Sequence, residues 1–559
     1  MSTRNLAEFL SVSIVLLTLS SAHAIWPRDG IPICTGPDYD SPVCIVPDTA
    51  GGAILAWISE PHDPHINLRA QKIDSKGVLQ WGPNGIYLLP PGELNVGACM
   101  IPDGMDGAFI AWIHIDGAGM QRILAMRIYP DGSTADLPVS ELYGMHYFTR
   151  ITSDCEGGVI LAWEEGRPPA TYNDIYAQRD SSDGSALWGS GGVAICTATG
   201  YQRRPQLALG GAGGAIIVWQ DHRGAPDIYA QRVDSSGDVL WAANGVAICT
   251  AGGEQDKQQI IPDGVGGAIT IWQDKRGGDF DIYAQRVDSF GNVMWTTNGV
   301  AVCTDINDQD YPFLVSDGAQ GAFIAWRDLR KGNYDVYAQR IDDGGNILWE
   351  ANGIEISGGD GNQRCHRIVE DGEDGAIITW VDEQVTDFNV YAQRIDGDGN
   401  FKWSCCGVPV CTAEGDQDVT VMAHVDLGTV IIGWQDKRDG EVPDVYAAKI
   451  SDETVIGVSD NIRTFPYGSG VTIISRPNPF NPHAFIDYHL PEQCCVTLDI
   501  YDSLGQKITS LVNREQGIGS YTVEWNGRDE RGHHVGSGVY FAHIKAGDHS
   551  KTTKLVLIR

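Results

Sequence analysis

Carboxylates recur in this sequence at spacings that would let them act together. Gln220-Asp-His-Arg223, Gln273-Asp-Lys-Arg276, Arg327-Asp-Leu-Arg330 and Gln435-Asp-Lys-Arg438 each place an aspartate two residues before an arginine. These are Asp221, Asp274, Asp328 and Asp436, and each is followed six to eight residues later by Asp227, Asp281, Asp335 or Asp444. A second acidic pattern reads Glu254-Gln-Asp256, Asp308-Gln-Asp310 and Asp416-Gln-Asp418. Clustered carboxylate oxygens would suit Ca2+ or a polar ligand, although the twelve-residue Asp-x-Asp-x-Asp-Gly loop of an EF-hand is missing. The competing role is local: a residue found in every repeat more often bonds its own repeat, here aspartate to arginine. Covalent chemistry has less support. The sequence holds no Ser/His/Asp motif, no Gly-rich phosphate loop after a strand and no Cys-x-x-Cys pair with zinc spacing. His62, His65 and His533-His534 stand apart from any third ligand.

These acidic motifs ride on a repeat. A Gly-rich apolar run ends in tryptophan at Trp57, Trp112, Trp163, Trp219, Trp272, Trp326, Trp380 and Trp434, with gaps of 55, 51, 56, 53, 54, 54 and 54 residues. Such a period marks a repeat architecture. In the fifth unit, Gly267–Trp272 is continuously apolar, as in a strand covered on both faces. Asp281–Asp288 alternates apolar and polar, and Asp288-Ser-Phe-Gly-Asn292 is a tight turn. Val293–Trp295 and Val300–Cys303 form a last, interrupted strand. Four short antiparallel strands per repeat predict one blade of a β-propeller. The loops after the second and fourth strands then share one face, which gathers the acidic motifs.

The eighth unit lapses at Ser451-Asp-Glu-Thr454, without a final strand. Its missing piece stands at the start of the chain. Trp26-Pro-Arg-Asp-Gly30-Ile-Pro-Ile-Cys34-Thr35 aligns without a gap to Trp241-Ala-Ala-Asn-Gly245-Val-Ala-Ile-Cys249-Thr250. The expected fold is therefore an all-β, eight-bladed propeller over residues 25–456, closed by the N-terminal strand. Seven blades would follow if the second unit, which lacks a tryptophan after Asp131-Gly132, were degenerate. Cys34, Cys196, Cys249, Cys303 and Cys411 share one register, where Leu89 and Ser357 stand in other units. This predicts small buried packing residues. Equivalent positions in neighbouring blades lie too far apart to bridge.

Residues 1–24 carry a charged start at Arg4, an apolar Val12–Leu19 and Ala22-His-Ala24, the pattern of a secretory signal peptide. No later segment is long and apolar enough for a membrane helix. With 39 Lys and Arg against 73 Asp and Glu, the net charge of −34 opposes nucleic acid and anionic lipid. Residues 457–470 read as a polar linker. From 471 to 559 the strands alternate with turns at the spacing of a small β-sandwich. Arg476-Pro-Asn-Pro-Phe-Asn-Pro482, Ile500-Tyr-Asp502, Ser537-Gly-Val-Tyr540 and Lys554-Leu-Val-Leu557 follow in order. This segment resembles the FlgD-type Ig-like domain and the related C-terminal sorting domains of the type IX secretion system. The resemblance implies export across an outer membrane, with release or surface attachment. The turn Asp234–Trp241 is similar to quinoprotein repeats in its Gly-x-x-x-Trp. Its aspartate, however, precedes the glycine by three positions where those repeats have four, and the vicinal Cys405-Cys406 falls in a strand connection.

The expected function is a secreted or surface-displayed, non-catalytic binding module for an extracellular glycan or protein. A secreted polysaccharide hydrolase or lyase, or a structural surface-layer component, are the alternatives. An enzyme would gather non-repeat polar residues at one end of the central channel. The departures from the repeat are Glu164-Glu165, Arg203-Arg204 and Cys365-His366.

Overall fold

The computed structural model describes residues 26–452, 454 and 472–558, except 28, 61–65, 89–93, 117, 138, 140–145, 168–171, 190, 212, 359–360, 384–386, 405–406, 441, 477–483, 491–493, 517–518, 530, 532 and 548. The leader, the linker, His62, His65, Cys405-Cys406 and the Pro-Asn-Pro-Phe segment lie outside the described residues. The repeats form eight four-stranded antiparallel sheets, arranged like propeller blades. In unit five the strands are Gln255–Pro262, Ala268–Asp274, Asp281–Val287 and Val300–Cys303. The second strand is buried along its whole length, because both its faces meet neighbouring sheets. Eight apolar clusters lie between consecutive sheets, and one of them joins unit eight to unit one.

In six units the break in the outer strand is bridged by a glutamine, at Gln71, Gln178, Gln231, Gln285, Gln339 and Gln393. Gln285 accepts the backbone N–H groups of Arg286 and Trp295 and donates to Thr296 O at 2.8 Å. Trp295 then donates across the seam to Asp343 O of unit six at 2.9 Å. The second unit has its four strands, ending in Thr134–Leu137. It lacks the seam tryptophan.

Unit eight takes its fourth strand, Ile31–Cys34, from the N-terminal end of the described chain. The register is Ile31↔Ala447, Pro32↔Tyr446 and Cys34↔Val445, with the same irregularity as Val246↔Ala230, Ala247↔Tyr229 and Cys249↔Ile228 in unit four. Asp29 takes the place of the turn asparagine. It accepts Thr412 N on Oδ1 at 2.9 Å and Arg438 Nη2 on its carbonyl at 2.7 Å. Asn244 does the same for Thr197 N and Arg223. Closure thus reuses the contact that joins units three to four, four to five and five to six.

Residues Thr472–Arg476, Ala484–Leu490 and Gly519–Trp525 form one further sheet. A second contains Lys507–Gln516, Cys494–Asp502, Gly538–Ala546 and His549–Leu557. The two share a core that includes Ile486, Leu498, Trp525, Ile544 and Leu555.

The turn glycine before each outer strand is fixed by tryptophan packing. Gly245 has φ of +86°, and a Cβ there would stand 2.5 Å from the Trp219 ring. Gly245→Ala should therefore cost about 2 kcal/mol or more through strain and overpacking. Gly224→Ala, which meets nothing within 4 Å, should stay within about 0.5 kcal/mol. Urea midpoints of the two variants test this, and equal midpoints would refute it.

Candidate functional site

One end of the ring is built from the turns between second and third strands and the starts of the innermost strands. His222 N donates to Tyr201 O within unit four, and Gln255 N of unit five donates to Pro226 O of unit four. The same pair of links recurs at Lys275/Glu254 and Gln309/Phe280. The acidic motifs lie on this end, which we term the mouth.

The first aspartate of each motif sits at the end of a second strand and is buried. Asp221 Oδ2 accepts the Trp219 indole N–H at 2.8 Å and Arg223 Nη2 at 2.8 Å. Asp274, Asp328 and Asp436 accept from Trp272, Trp326 and Trp434, and from Arg276, Arg330 and Arg438. The arginine lies over a tyrosine, as Arg276 does over Tyr283 at 3.7 Å, and that tyrosine stacks on the tryptophan. Arg276 also donates to the buried Cys249 Sγ at 3.2 Å. Burial pushes the Cys196, Cys249, Cys303 and Cys411 thiols up to about 12, so they are protonated, unreactive packing groups. Cys34, Cys44, Cys99, Cys155, Cys196, Cys249, Cys303, Cys365, Cys411 and Cys495 are free thiols. Glu165, read from sequence as a departure, performs the aspartate's task with one more methylene. It accepts Trp163 Nε1 at 2.8 Å and Arg167 at 2.7 Å.

The second aspartate pairs directly opposite the first: Asp221↔Asp227, Asp274↔Asp281, Asp328↔Asp335 and Asp436↔Asp444. Like charges so placed repel. Burial, with the facing carboxylate adding to it, raises Asp227 and Asp281 to about 6. Burial and Glu355 raise Asp335 to about 7. Asp444 is also raised by burial and accepts Gly36 N. Among the described residues, no three His, Cys, Asp or Glu side chains converge as a metal-binding group.

What breaks the repeat lies on the innermost strands. Each carries a bulge near its start. In six units the bulge residue has positive φ without being glycine: Phe148, Arg204, Lys257, Tyr311, Cys365 and Val419, at 47–56°. Unit two has Gly97 there, and unit one has Pro42, whose ring forbids positive φ. A left-handed non-glycine residue costs about 1–3 kcal/mol. The strain is held by neighbouring units. Glu164 Oε1 accepts Arg204 N at 2.6 Å, Gln273 Oε1 accepts Tyr311 N at 3.1 Å, and Thr420 Oγ1 donates to Cys365 O at 2.6 Å.

Around this ring stand exposed aromatics beside cations. Phe148, Tyr172, Tyr201 and Tyr311 are exposed. Arg203 lies 4.6 Å over Tyr201, Lys257 lies 4.6 Å over Tyr311, and Arg327 lies 4.4 Å over Tyr311 while pairing with Asp310. Arg204 pairs with Asp256, and Arg364 with Asp418. Glu164 and Arg203-Arg204, distant in sequence, therefore meet at the mouth, and Cys365 occupies an equivalent position three units on from Arg204. His366 is buried and driven down to about 3 by burial and the nearby Arg367 and Arg327, so it is neutral. The sequence signal for this ring was the varied residue two places after Gln202, Gln255, Gln309, Gln363 and Gln417. Its backbone conformation had no signal, since six units reach positive φ there without glycine.

Residues 485–550 match the FlgD Ig-like domain family. Curated proteins include no match to this chain. Among solved structures, a protein of unknown function from Dyadobacter fermentans is similar at TM-score 0.38 and 11% identity, covering 76% of this chain and 97% of its own. An α-L-arabinanase from Penicillium chrysogenum, complexed with arabinobiose, is similar at TM-score 0.32 and 11% identity, covering 76% and 99%. PorZ, a surface component of the type IX secretion system of Porphyromonas gingivalis, is similar at TM-score 0.24 and 10% identity, covering 93% and 81%. At these scores the likenesses transfer no activity or ligand.

The paired aspartates give the protein a definite pH response. Asp227, Asp281 and Asp335 bind protons more tightly folded than unfolded, where an aspartate titrates near about 3.9. Their stabilising contribution is complete below about pH 4 and is lost as pH rises through 6 to 7. Burial raises Asp221, but its Arg223 and Trp219 hydrogen bonds outweigh that and hold it below the ordinary range. Its contribution is present above about pH 4 and is lost in stronger acid. Asp281→Asn should raise the melting temperature at pH 7.5 and weaken its rise toward pH 5.5. Asp274→Ala should lower it at pH 7.5 by an amount equivalent to about 3 kcal/mol, by leaving Arg276 and the Trp272 N–H without their acceptor. An unchanged pH slope in Asp281→Asn would contradict the assignment.

Proposed function

We propose that this is a secreted or surface-displayed binding module, whose mouth holds an extracellular glycan or other polar chain and performs no chemistry on it. The observation that carries this reading is the strained bulge ring. One structural position bears Phe148, Arg204, Lys257, Tyr311, Cys365 and Val419 in different units, while the residues packing unit to unit repeat. Exposed aromatic rings flanked by hydrogen-bonding charges can stack on sugar faces and fix orientation with polar contacts. Asp227, Asp281, Asp335 and Asp444 on the same end are proposed as polar contacts for that ligand or for Ca2+. Heat and a melting shift on adding millimolar CaCl2 are the signs of the cation, and neither would appear without it.

A hydrolase is the second reading, favoured by Glu164. This carboxyl is buried at the mouth and raised mainly by that burial, across Arg204 from Asp256. Two carboxylates in unlike environments are the pattern of a glycosidase acid and its partner. The C-terminal FlgD-like domain is proposed to direct export, in the manner of type IX sorting domains. Among the described residues, no helix is long and apolar enough to cross a membrane.

A glycan and polysaccharide screen on the secreted chain tests these readings together. Binding should weaken at least tenfold in Tyr311→Ala and Phe148→Ala, with no new reducing ends released. Release of reducing ends that is lost in Glu164→Gln would establish the hydrolase instead. Retention inside the cell of a chain ending at residue 470 is expected if the C-terminal domain directs export.

A further inference from the structure

Below the bulges, the innermost strands form a second ring around the axis. Its members are the residues paired opposite the position before each buried tryptophan: Cys44↔Ala56, Cys99↔Ala111, Arg150↔Ala162, Gln206↔Val218, Gln259↔Ile271, Phe313↔Ala325, Arg367↔Thr379 and Val421↔Gly433. Each innermost strand is paired on one side only, so its free edge borders the axial channel. Neighbouring members touch around the ring. Arg150 Nε donates to Gln206 Oε1 at 3.1 Å, and Arg367 lies 5.1 Å over the Phe313 ring.

Two guanidiniums in this ring lack the carboxylate partner that most arginines of the repeats have; Arg69 and Arg232, on third strands, likewise bond only backbone carbonyls. Arg179, Arg204, Arg276, Arg327, Arg394 and Arg438 each pair with a carboxylate. Arg150 and Arg367 pair with none among the described residues. Their acceptors are neutral: Gln206 and Thr149 O for Arg150, and His366 O for Arg367. This occurs in a chain with 73 acidic residues against 39 basic, where a counter-ion is easily supplied. The fold itself does not require arginine here, because Val421 and Gln259 fill equivalent positions. A half-buried guanidinium with no counter-charge is costly. Units three and seven are four apart either way around a ring of eight, so the innermost strands that carry the two arginines lie on opposite sides of the axis.

We propose that the axial channel binds an oxyanion, the carboxylate or sulfate group of an acidic ligand, between Arg150 and Arg367. Arginine offers planar paired donors that match such a group, and Gln206 adds a neutral amide beside Arg150. The surrounding net negative charge disfavours anions elsewhere on the surface, so binding is confined to the channel. The inference deepens the mouth reading, since an acidic glycan held at the mouth would project its charged group inward. The anion site itself does not depend on that reading.

The test is calorimetric titration of the secreted full-length chain at low ionic strength, with sodium sulfate, sodium glucuronate and a polyuronate as probes. Saturable binding of one sulfate per chain is expected, weakened by added NaCl and accompanied by a rise in melting temperature. Arg150→Gln/Arg367→Gln should lose at least tenfold in affinity for every probe. In anion-free buffer it should melt at or above the wild-type temperature, because an unpaired charge has been removed. Arg150→Lys/Arg367→Lys should recover part of the affinity. Lys551→Gln, which alters charge on the C-terminal sheet, should change nothing. Tighter binding of the polyuronate than of glucuronate identifies a glycan source, whereas equal binding identifies a small free anion. Absence of saturable sulfate binding in wild type overturns the proposal, as does unchanged affinity in the double Gln variant. If that variant does not fold, retention of full affinity in both single Gln variants overturns it equally. Failure of Tyr311→Ala to affect glycan binding, with sulfate binding intact, refutes the mouth reading and leaves the anion site standing.

Discussion

The structure depends on a buried indole N–H. Each repeat seals a tryptophan between sheets, and a polar hydrogen so placed requires an acceptor. The aspartate two residues later supplies it, and that buried carboxylate in turn requires a cation. The loop arginine provides the charge, rests on the tyrosine of the next strand, and donates to the carbonyl of the turn asparagine, as Arg276 does to Asn298 O. The asparagine side chain accepts Thr250 N from the preceding unit. One unsatisfied hydrogen thus determines the loop, the turn and the seam. Trp57 and Trp112 show the consequence of omitting the acid. Ser59 and His114 stand where the aspartate would, and neither indole finds an acceptor among the described residues. Arg69, supplied from the third strand, instead covers Trp57 and Tyr87.

The same chain of contacts explains why the ring closes without a special latch. Trp26 donates to Ser75 O of unit one, as Trp241 does to Ser289 O. Asp29 replaces asparagine without loss, because the turn needs only a side-chain oxygen and a residue that tolerates positive φ. The seam between the strand donated by residues 31–34 and unit one is packed like the rest.

Variation is concentrated where this chain of contacts does not reach. Outer strands touch the following unit, and their residues are fixed by it. At the axis, the innermost strands leave one edge free, so side chains can differ from unit to unit without opening a seam. The bulges use that freedom at a cost in backbone strain. Gln273, Glu164 and Thr420 hold the strain by bonding the bulge backbone from adjacent units. A uniform scaffold therefore surrounds a non-uniform mouth and channel.

The period, the strand pattern and the split eighth repeat were legible because they depend on local spacing: tryptophan every 51–56 residues, alternation along strands, and glycine at tight turns. The aligned cysteines and the Asp-Arg motifs were legible for the same reason, since a partner two residues away is encoded in the sequence itself. The sequence could not show that Glu165 belongs to that motif, because a longer side chain looks like a departure until its reach is known. Nor could it show that Glu164 holds Arg204, or that Arg150 and Arg367 share a ring. Those residues are 40 and 217 positions apart, and only closing the sheets around one axis brings them to a common level. Local hydrogen bonding determines the blade, and the packing of eight blades around one axis decides what meets at the centre.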